Sequence, residues 1–253
     1  MQFDPTYNPF SLVGKTILIT GASSGIGRAT AIECSKLGAT CVLTGRNEER
    51  LNDTISQMVG EGHKIIIADL SNEIEIDKII SLIPQLDGLV NNAGYQEFAP
   101  VAFIKKDRLE SLLTVNTIAP IMLTQKALKQ KKIKKFSSIV FTSSLAGAGF
   151  VTPGNAMYAA TKGAISSYIH VAAIELASKK IRVNAVCPAM VDTNIMNNGT
   201  ISDEEIKVDM LNYPLGRYGK PEEIAHAIIY LLSDASSWVT GTNMILDGGV
   251  SIK

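Results

Sequence analysis

A run of β-branched and apolar residues, Lys15-Thr16-Ile17-Leu18-Ile19-Thr20, breaks off into Gly21-Ala22-Ser23-Ser24-Gly25-Ile26-Gly27, and a helical pattern takes over from about 26 to 37. Three glycines within seven residues, set between a strand and a helix, leave few ways to fold. Glycine lets the chain reverse sharply, lets backbone N–H groups approach a pyrophosphate, and lets the helix lie close on the sheet. The helix start adds unpaired N–H donors and about half a positive charge. The expectation is a phosphate cradle for a dinucleotide, formed by Gly21, Ser23, Ser24, Gly25, Ile26 and Gly27. A tight strand–helix turn with incidental glycines is the plainer alternative.

Strands and helices alternate beyond this point. Strands are expected at 40–44, 64–68, 86–90, 138–142, 182–186 and 244–246, and helices at 48–59, 74–83, 107–130, 156–177 and 222–232. Continuously apolar strands in strict turn with helices imply a parallel sheet covered on both faces. The fold class is therefore α/β, a doubly wound Rossmann-type sheet. No repeat or Pro/Gly-rich linker divides the chain, so 1–253 reads as a single dinucleotide-binding catalytic domain. Ligands of such sheets sit outside the carboxyl ends of the strands.

Composition narrows the function. Lys+Arg 24 against Asp+Glu 24 leaves no basic excess for nucleic acid. No apolar run approaches the roughly 18 residues of a membrane span, and the first ten residues carry no secretory pattern. Cys34, Cys41 and Cys187 are odd in number and far apart, which argues for a reducing, cytoplasmic setting. His63, His170 and His226 form no metal-ligand pattern, so no metal is expected.

The second strand ends in Thr44-Gly45-Arg46-Asn47. An acidic residue there would hold the ribose hydroxyls of NAD, whereas an arginine suits a 2′-phosphate. Gly45 supplies no carboxylate and Arg46 offers a planar fork of donors, so the cofactor is expected to be NADP(H). A surface pairing of Arg46 with Glu48 or Glu49 is the competing reading.

Tyr158 and Lys162 are four apart on an expected helix, hence on one face and about 5–6 Å apart at Cβ. A free phenol has a pKa of about 10. An ammonium roughly 5 Å away at an effective dielectric of about 20 favours the phenolate by about 3 kcal/mol, or roughly two pKa units. Such a pair suits the proton transfer that accompanies hydride transfer at a carbonyl carbon. Taken alone, the spacing equally describes a helix-surface pair.

Taken in order, Thr20-Gly21-x-x-x-Gly25-x-Gly27, Asn91-Asn92-Ala93-Gly94, Asn116, Ser143-Ser144, Tyr158-x-x-x-Lys162 and Pro188 to Thr193 resemble the short-chain dehydrogenase/reductase family along nearly the whole chain. The resemblance implies that Ser144 holds the substrate oxygen beside Tyr158. Ser143 is the alternative, since the segment from Ser144 to Tyr158 is slightly long. It implies that Asn116 fixes a water on Lys162; an asparagine mending a helix kink is the structural alternative. Asp69 and Leu70 would meet adenine, Asn92, Ala93 and Gly94 its ribose, and Val191 and Thr193 the carboxamide. Ala189 stands where relatives often carry glycine.

The family likeness further implies a substrate lid at about 194–219, with Met190, Ile195, Met196 and Met210 as an apolar lining. It implies a homotetramer joined through the helix bearing Ala159, Ala160, Gly163 and Ala164 and through Asp247-Gly248-Gly249. The motifs resemble those of 3-oxoacyl-acyl-carrier-protein reductases and of sugar, polyol and steroid dehydrogenases. The implied substrate is a small carbonyl compound or alcohol. The lysines at 129, 131, 132, 134 and 135 read as a solvated face or as a patch for acyl-carrier protein. A non-catalytic NADP(H)-binding regulator is the alternative from another class.

Overall fold

The computed structural model describes residues 7–193 and 203–253. Seven strands, β1 (Thr16–Thr20), β2 (Thr40–Gly45), β3 (Lys64–Ile67), β4 (Leu86–Asn91), β5 (Ile133–Thr142), β6 (Arg182–Pro188) and β7 (Asn243–Leu246), make one sheet. Their order is β3-β2-β1-β4-β5-β6-β7, with every neighbouring pair parallel. The winding reverses between β1 and β4, which opens a crevice beyond their carboxyl ends.

The helices are α1 (Gly25–Lys36), α2 (Glu48–Ser56), α3 (Glu73–Leu82), α4 (Lys106–Leu113), α5 (Ala119–Lys129), α6 (Ala156–Ala177), α7 (Asp203–Met210) and α8 (Pro221–Leu232). Side chains alternate across each strand, so the sheet feeds two cores. Leu18, Leu89, Ile139 and Val183 pack with Ile79, Leu123 and Ile169 of α3, α5 and α6. Ile17, Ile19, Val90, Val140 and Val186 pack on the other face with Ala31 of α1 and Ile228 of α8. Burial on both faces is why these strands read as unbroken apolar runs.

Two elements depart from the sequence expectation. The helical stretch at 107–130 is not one helix: a π-turn at Thr114–Ile118 separates α4 from α5. Pro120, at the start of α5, has no N–H to donate, and the wider turn accommodates that loss. β5 also begins five residues earlier than the expected 138. Leu86 pairs with Ile133 but Gly88 pairs with Ser138, so β5 carries extra residues as a bulge. Phe136 adopts φ 63 within it. Among the described residues no helix is long and apolar enough to cross a membrane, and all three cysteines are buried and free.

Candidate active site

The turn after β1 is held open by backbone geometry. Gly21 and Gly25 have φ of +66 and +52, a region that L side chains enter only with strain. A Cβ on Gly27 would lie 2.3 Å from the Gly21 carbonyl oxygen and 2.5 Å from Asn92 Nδ2, so α1 reaches its position only with glycine there. Thr20 joins this turn to the loop after β4: its Oγ1 accepts from the backbone N–H groups of Asn92 at 2.9 Å and Ala93 at 3.0 Å. Asn92 Nδ2 donates to Thr20 O at 3.1 Å. Ser24 precedes α1 without capping it through its side chain, leaving the first-turn donors to the crevice. Thr193 arrives from β6, its Cγ2 lying 3.3 Å from where a Gly25 Cβ would stand. A glycine cradle beside an uncapped helix start fits the pyrophosphate of a dinucleotide.

Arg46 projects from the end of β2 with its side chain 80% exposed, and its Nη1 lies 3.9 Å from Asp69 Oδ2. Its ion-pair partner is thus Asp69 and not Glu48 or Glu49. Hydrogen bonds from the Ser71 backbone N–H at 2.9 Å and hydroxyl at 2.8 Å, with Arg46 nearby, hold the Asp69 carboxyl below its ordinary pKa despite partial burial. Both residues line a cleft of about 630 Å³ together with Ser71, Tyr95, Thr114 and Val115. Leu70 is buried beneath it in the core. Tyr95 and Val115 carry no motif of their own in the sequence. Their signal was position alone, one directly after Asn91-Asn92-Ala93-Gly94 and the other directly before Asn116.

Tyr158 and Lys162 lie on the first turns of α6, with Lys162 Nζ 5.7 Å from the Tyr158 ring centroid. Lys162 is 4% exposed and donates to the Thr142 carbonyl oxygen at 2.7 Å. Burial pulls its pKa down to about 8. The expected acidification of Tyr158 is absent from the protein by itself. Burial penalises the phenolate and raises the tyrosine pKa, while the nearby Ser144 hydroxyl only partly opposes the rise.

Depression of Lys162 has a consequence for stability. The unfolded chain binds this proton more tightly than the folded one, so stability climbs as pH rises from about 8 toward 10.5. The full span corresponds to about 3 kcal/mol. Lys162→Met is expected to remove that climb, measured as the difference in urea midpoint between pH 7.5 and pH 9.5. An unchanged difference would refute it.

Ser144, just beyond β5, accepts from Ala146 N at 3.2 Å, and its hydroxyl is near enough to Tyr158 to favour the phenolate. Ser143 is turned inward: its hydroxyl donates to Lys162 O at 3.1 Å and shares a 2.9 Å bond with Ser166. Ser144, not Ser143, is therefore beside the tyrosine. The extra length before Tyr158 is taken up by a 3₁₀ turn, Leu145–Ala148, and by Gly149 at φ 101. Gly147 was not legible as a site residue. A Cβ there would stand 2.6 Å from the Lys162 carbonyl carbon and oxygen, so Gly147→Ala is expected to cost about 2 kcal/mol of stability by overpacking. Urea unfolding measures it, and an unchanged midpoint would contradict the close approach.

Asn116 sits in the π-turn, 1% exposed. Its Oδ1 accepts from Tyr95 N at 3.0 Å, and its Nδ2 donates to Tyr95 O at 2.8 Å and to Thr161 Oγ1 at 3.2 Å. A Cβ on Gly94 would lie 3.0 Å from Asn116 Oδ1 and 3.4 Å from Lys162 Nζ, which puts asparagine and lysine around one glycine. Val191 forms a β-bridge with Gly219, whose N–H donates to Met190 O at 3.1 Å. Met190 and Met210 are partly exposed; Ile195 and Met196 lie outside the described residues. The lysine run is at the wrong end of β5 for this site. Lys132 Nζ donates to Ile83 O and Lys134 pairs with Asp87, each at 2.7 Å, near the strand's amino end. Among the described residues no group of three or more His, Cys, Asp or Glu side chains is placed to hold a metal.

A parallel sheet with a glycine cradle at its switch point defines a Rossmann-type dinucleotide-binding fold. A family model described as enoyl-(acyl carrier protein) reductase matches residues 21–251. The 3-oxoacyl-[acyl-carrier-protein] reductase of Rickettsia felis is 33% identical over 239 residues, covering 94% of this chain and 98% of that protein. Glucose 1-dehydrogenase of Gluconobacter oxydans is 31% identical over 246 residues, covering 94% and 92%. A Beutenbergia cavernae structure assigned as an NAD(P)-dependent gluconate 5-dehydrogenase, with NADP bound at low occupancy, superimposes with a TM-score of 0.87. It is 29% identical and covers 97% of this chain and 100% of that one. The chain belongs to the short-chain dehydrogenase/reductase family. It is an oxidoreductase acting between CH–OH and C=O, in a family that binds a nicotinamide cofactor.

Proposed function

We propose that this enzyme interconverts a ketone and a secondary alcohol with NADP(H), through Tyr158, Lys162, Ser144 and Asn116. The observation that carries the reading is the buried Lys162 ammonium, 5.7 Å from the Tyr158 ring centroid and donating to Thr142 O at the carboxyl end of β5, two residues before Ser144. Gly21, Ser23, Ser24, Gly25, Ile26 and Gly27 cradle the pyrophosphate, and Asp69 and the Leu70 backbone meet the adenine. Asn92, Ala93 and Gly94 pass its ribose, Tyr158 and Lys162 contact the nicotinamide ribose, and Val191 and Thr193 hold the carboxamide. The bound cofactor supplies or accepts the hydride. Ser144 holds the carbonyl oxygen, and Tyr158 gives it a proton in the reducing direction. The Lys162 ammonium, still mostly protonated near neutrality with its pKa of about 8, stabilises the phenolate left behind. Asn116 anchors the water path that returns the proton.

NADP(H) over NAD(H) rests on Arg46 and on the absence of a carboxylate at Gly45, and the NADP in the Beutenbergia relative supports it. The 33% identical Rickettsia reductase favours a 3-oxoacyl thioester as substrate; the glucose and gluconate relatives favour a sugar or polyol. On the first reading acyl-carrier protein bears the substrate, docking at the carboxyl end of the sheet and not on the lysine run. Of the substrate lid expected at about 194–219 in this single domain, residues 194–202 lie outside the described residues. Its described part is anchored by Tyr218, whose hydroxyl donates to Asp209 at 2.7 Å. A homotetramer is supported by α6, where Val171 is 58% and Ile174 78% exposed. Buried free cysteines fit a cytoplasmic setting. The test is a panel of acetoacetyl thioester, ketosugars and ketosteroids followed by NADPH absorbance. Oxidation of NADPH by at least one ketone is expected, and silence across the panel would overturn the assignment.

A further inference from the structure

Two loops meet at the start of α6, one following β4 and one following β5. Ala99 N donates to Gly154 O at 2.9 Å, and Gln96 Nε2 donates to Asn155 Oδ1 at 3.1 Å. The Phe98 ring edge lies 3.8 Å from where a Gly154 Cβ would stand. Asn155 caps α6 three residues before Tyr158, so the joined loops border the catalytic turn. Phe150 is tied to the residue after Ser144, its N–H donating to Leu145 O at 3.3 Å.

The chemistry of these loops is one-sided. Phe98 is 61%, Phe150 42% and Val151 60% exposed, although each is large and apolar. Across 95–103 and 145–155 the only charged side chain is Glu97, and it is engaged by Arg108. Gln96 and Asn155 are bonded to each other. A polyhydroxylated substrate would bury hydroxyls against this ledge with few partners, which is costly. An alkyl chain would cover the exposed rings and gain from leaving water.

We infer that Phe98, Phe150 and Val151 form a specificity ledge for an extended apolar substituent next to the reacting carbonyl, making the substrate a hydrophobic ketone or 3-oxoacyl thioester and not a ketosugar. This rests on the catalytic reading of Tyr158 and deepens it. An alkyl chain lying along the ledge has about half of each methylene covered, so each added pair should raise kcat/KM roughly fourfold.

The test uses the full chain with NADPH and the 3-oxobutanoyl, 3-oxohexanoyl and 3-oxooctanoyl thioesters of N-acetylcysteamine, with 5-ketogluconate as the polyol. Calorimetry in parallel measures binding of the unreactive butanoyl and octanoyl thioesters to wild type, Tyr158→Phe, Phe98→Ala and Phe150→Ala. The expected results are a rising turnover series, an octanoyl preference of roughly fifteenfold in binding, and collapse of that preference toward unity in either phenylalanine variant. Phe98→Gln, which keeps the bulk of an exposed side chain, guards against a folding defect in Phe98→Ala and should lose the preference equally. Equal binding of the two unreactive thioesters, or faster turnover of 5-ketogluconate than of 3-oxooctanoyl thioester, would overturn the ledge. An octanoyl preference that is lost in Phe98→Ala while no ketone is reduced would uphold the ledge and refute the catalytic reading instead.

Discussion

Tyr158→Phe is expected to lower kcat/KM for ketone reduction by roughly a thousandfold, the range a positioned proton donor contributes. The substitution removes one hydroxyl while the ring keeps its place on α6. Binding of NADPH should weaken by no more than a few-fold, because the glycine cradle and the loop after β4 are untouched. Steady-state kinetics and cofactor titration on the same preparation measure both. A protein that binds the cofactor only to regulate or scaffold would show no ketone-dependent turnover in either form. A variant retaining most of the wild-type rate would remove Tyr158 from the chemistry.

The second large effect is at the other end of the crevice. Arg46→Ala is expected to reduce the preference for NADPH over NADH, expressed as the ratio of kcat/KM values, by roughly ten- to a hundredfold. That is the scale of a charge-assisted hydrogen bond to phosphate. The residue is mostly exposed and its approach to Asp69, at 3.9 Å, is long and open to solvent, so its removal should leave the melting temperature unchanged. Wild-type protein that uses NADH as well as NADPH would show that Arg46 does not select the cofactor.

What could be read from the chain alone has a common cause. Gly21, Gly25 and Gly27 stand where backbone conformation or close approach admits no other residue, so their spacing survives as a linear pattern. Tyr158 and Lys162 are legible because one helical turn joins them, and Arg46 because it ends a strand whose limits are marked by apolar residues. The features that escaped depend on contacts between distant segments. The π-turn at Asn116 shifts the helical phase only slightly, so α4 and α5 read as one continuous helix. Gly147 matters because α6 passes within 2.6 Å of where its Cβ would be, and nothing local announces that approach. The β5 bulge is set by pairing with β4. The tyrosine shift runs opposite to the sequence expectation for the same reason. Helix spacing fixed the distance to the ammonium, but burial of the phenol is decided by the folded chain.

In the protein alone, then, Tyr158 is a weaker acid than a free phenol, which suits a proton donor, and its use as a base on the alcohol requires that the oxidised cofactor's positive ring, with the Lys162 ammonium, reverse the shift. A pH titration of phenolate absorbance near 295 nm, recorded on the NADP⁺ complex and on the free protein and subtracted against Tyr158→Phe, tests this directly. The expected result is one tyrosine that ionises above the usual value of about 10 in the free protein and well below it in the complex, missing from the variant. A complex in which no tyrosine titrates below that value would contradict the proton-transfer role at the centre of the proposed function.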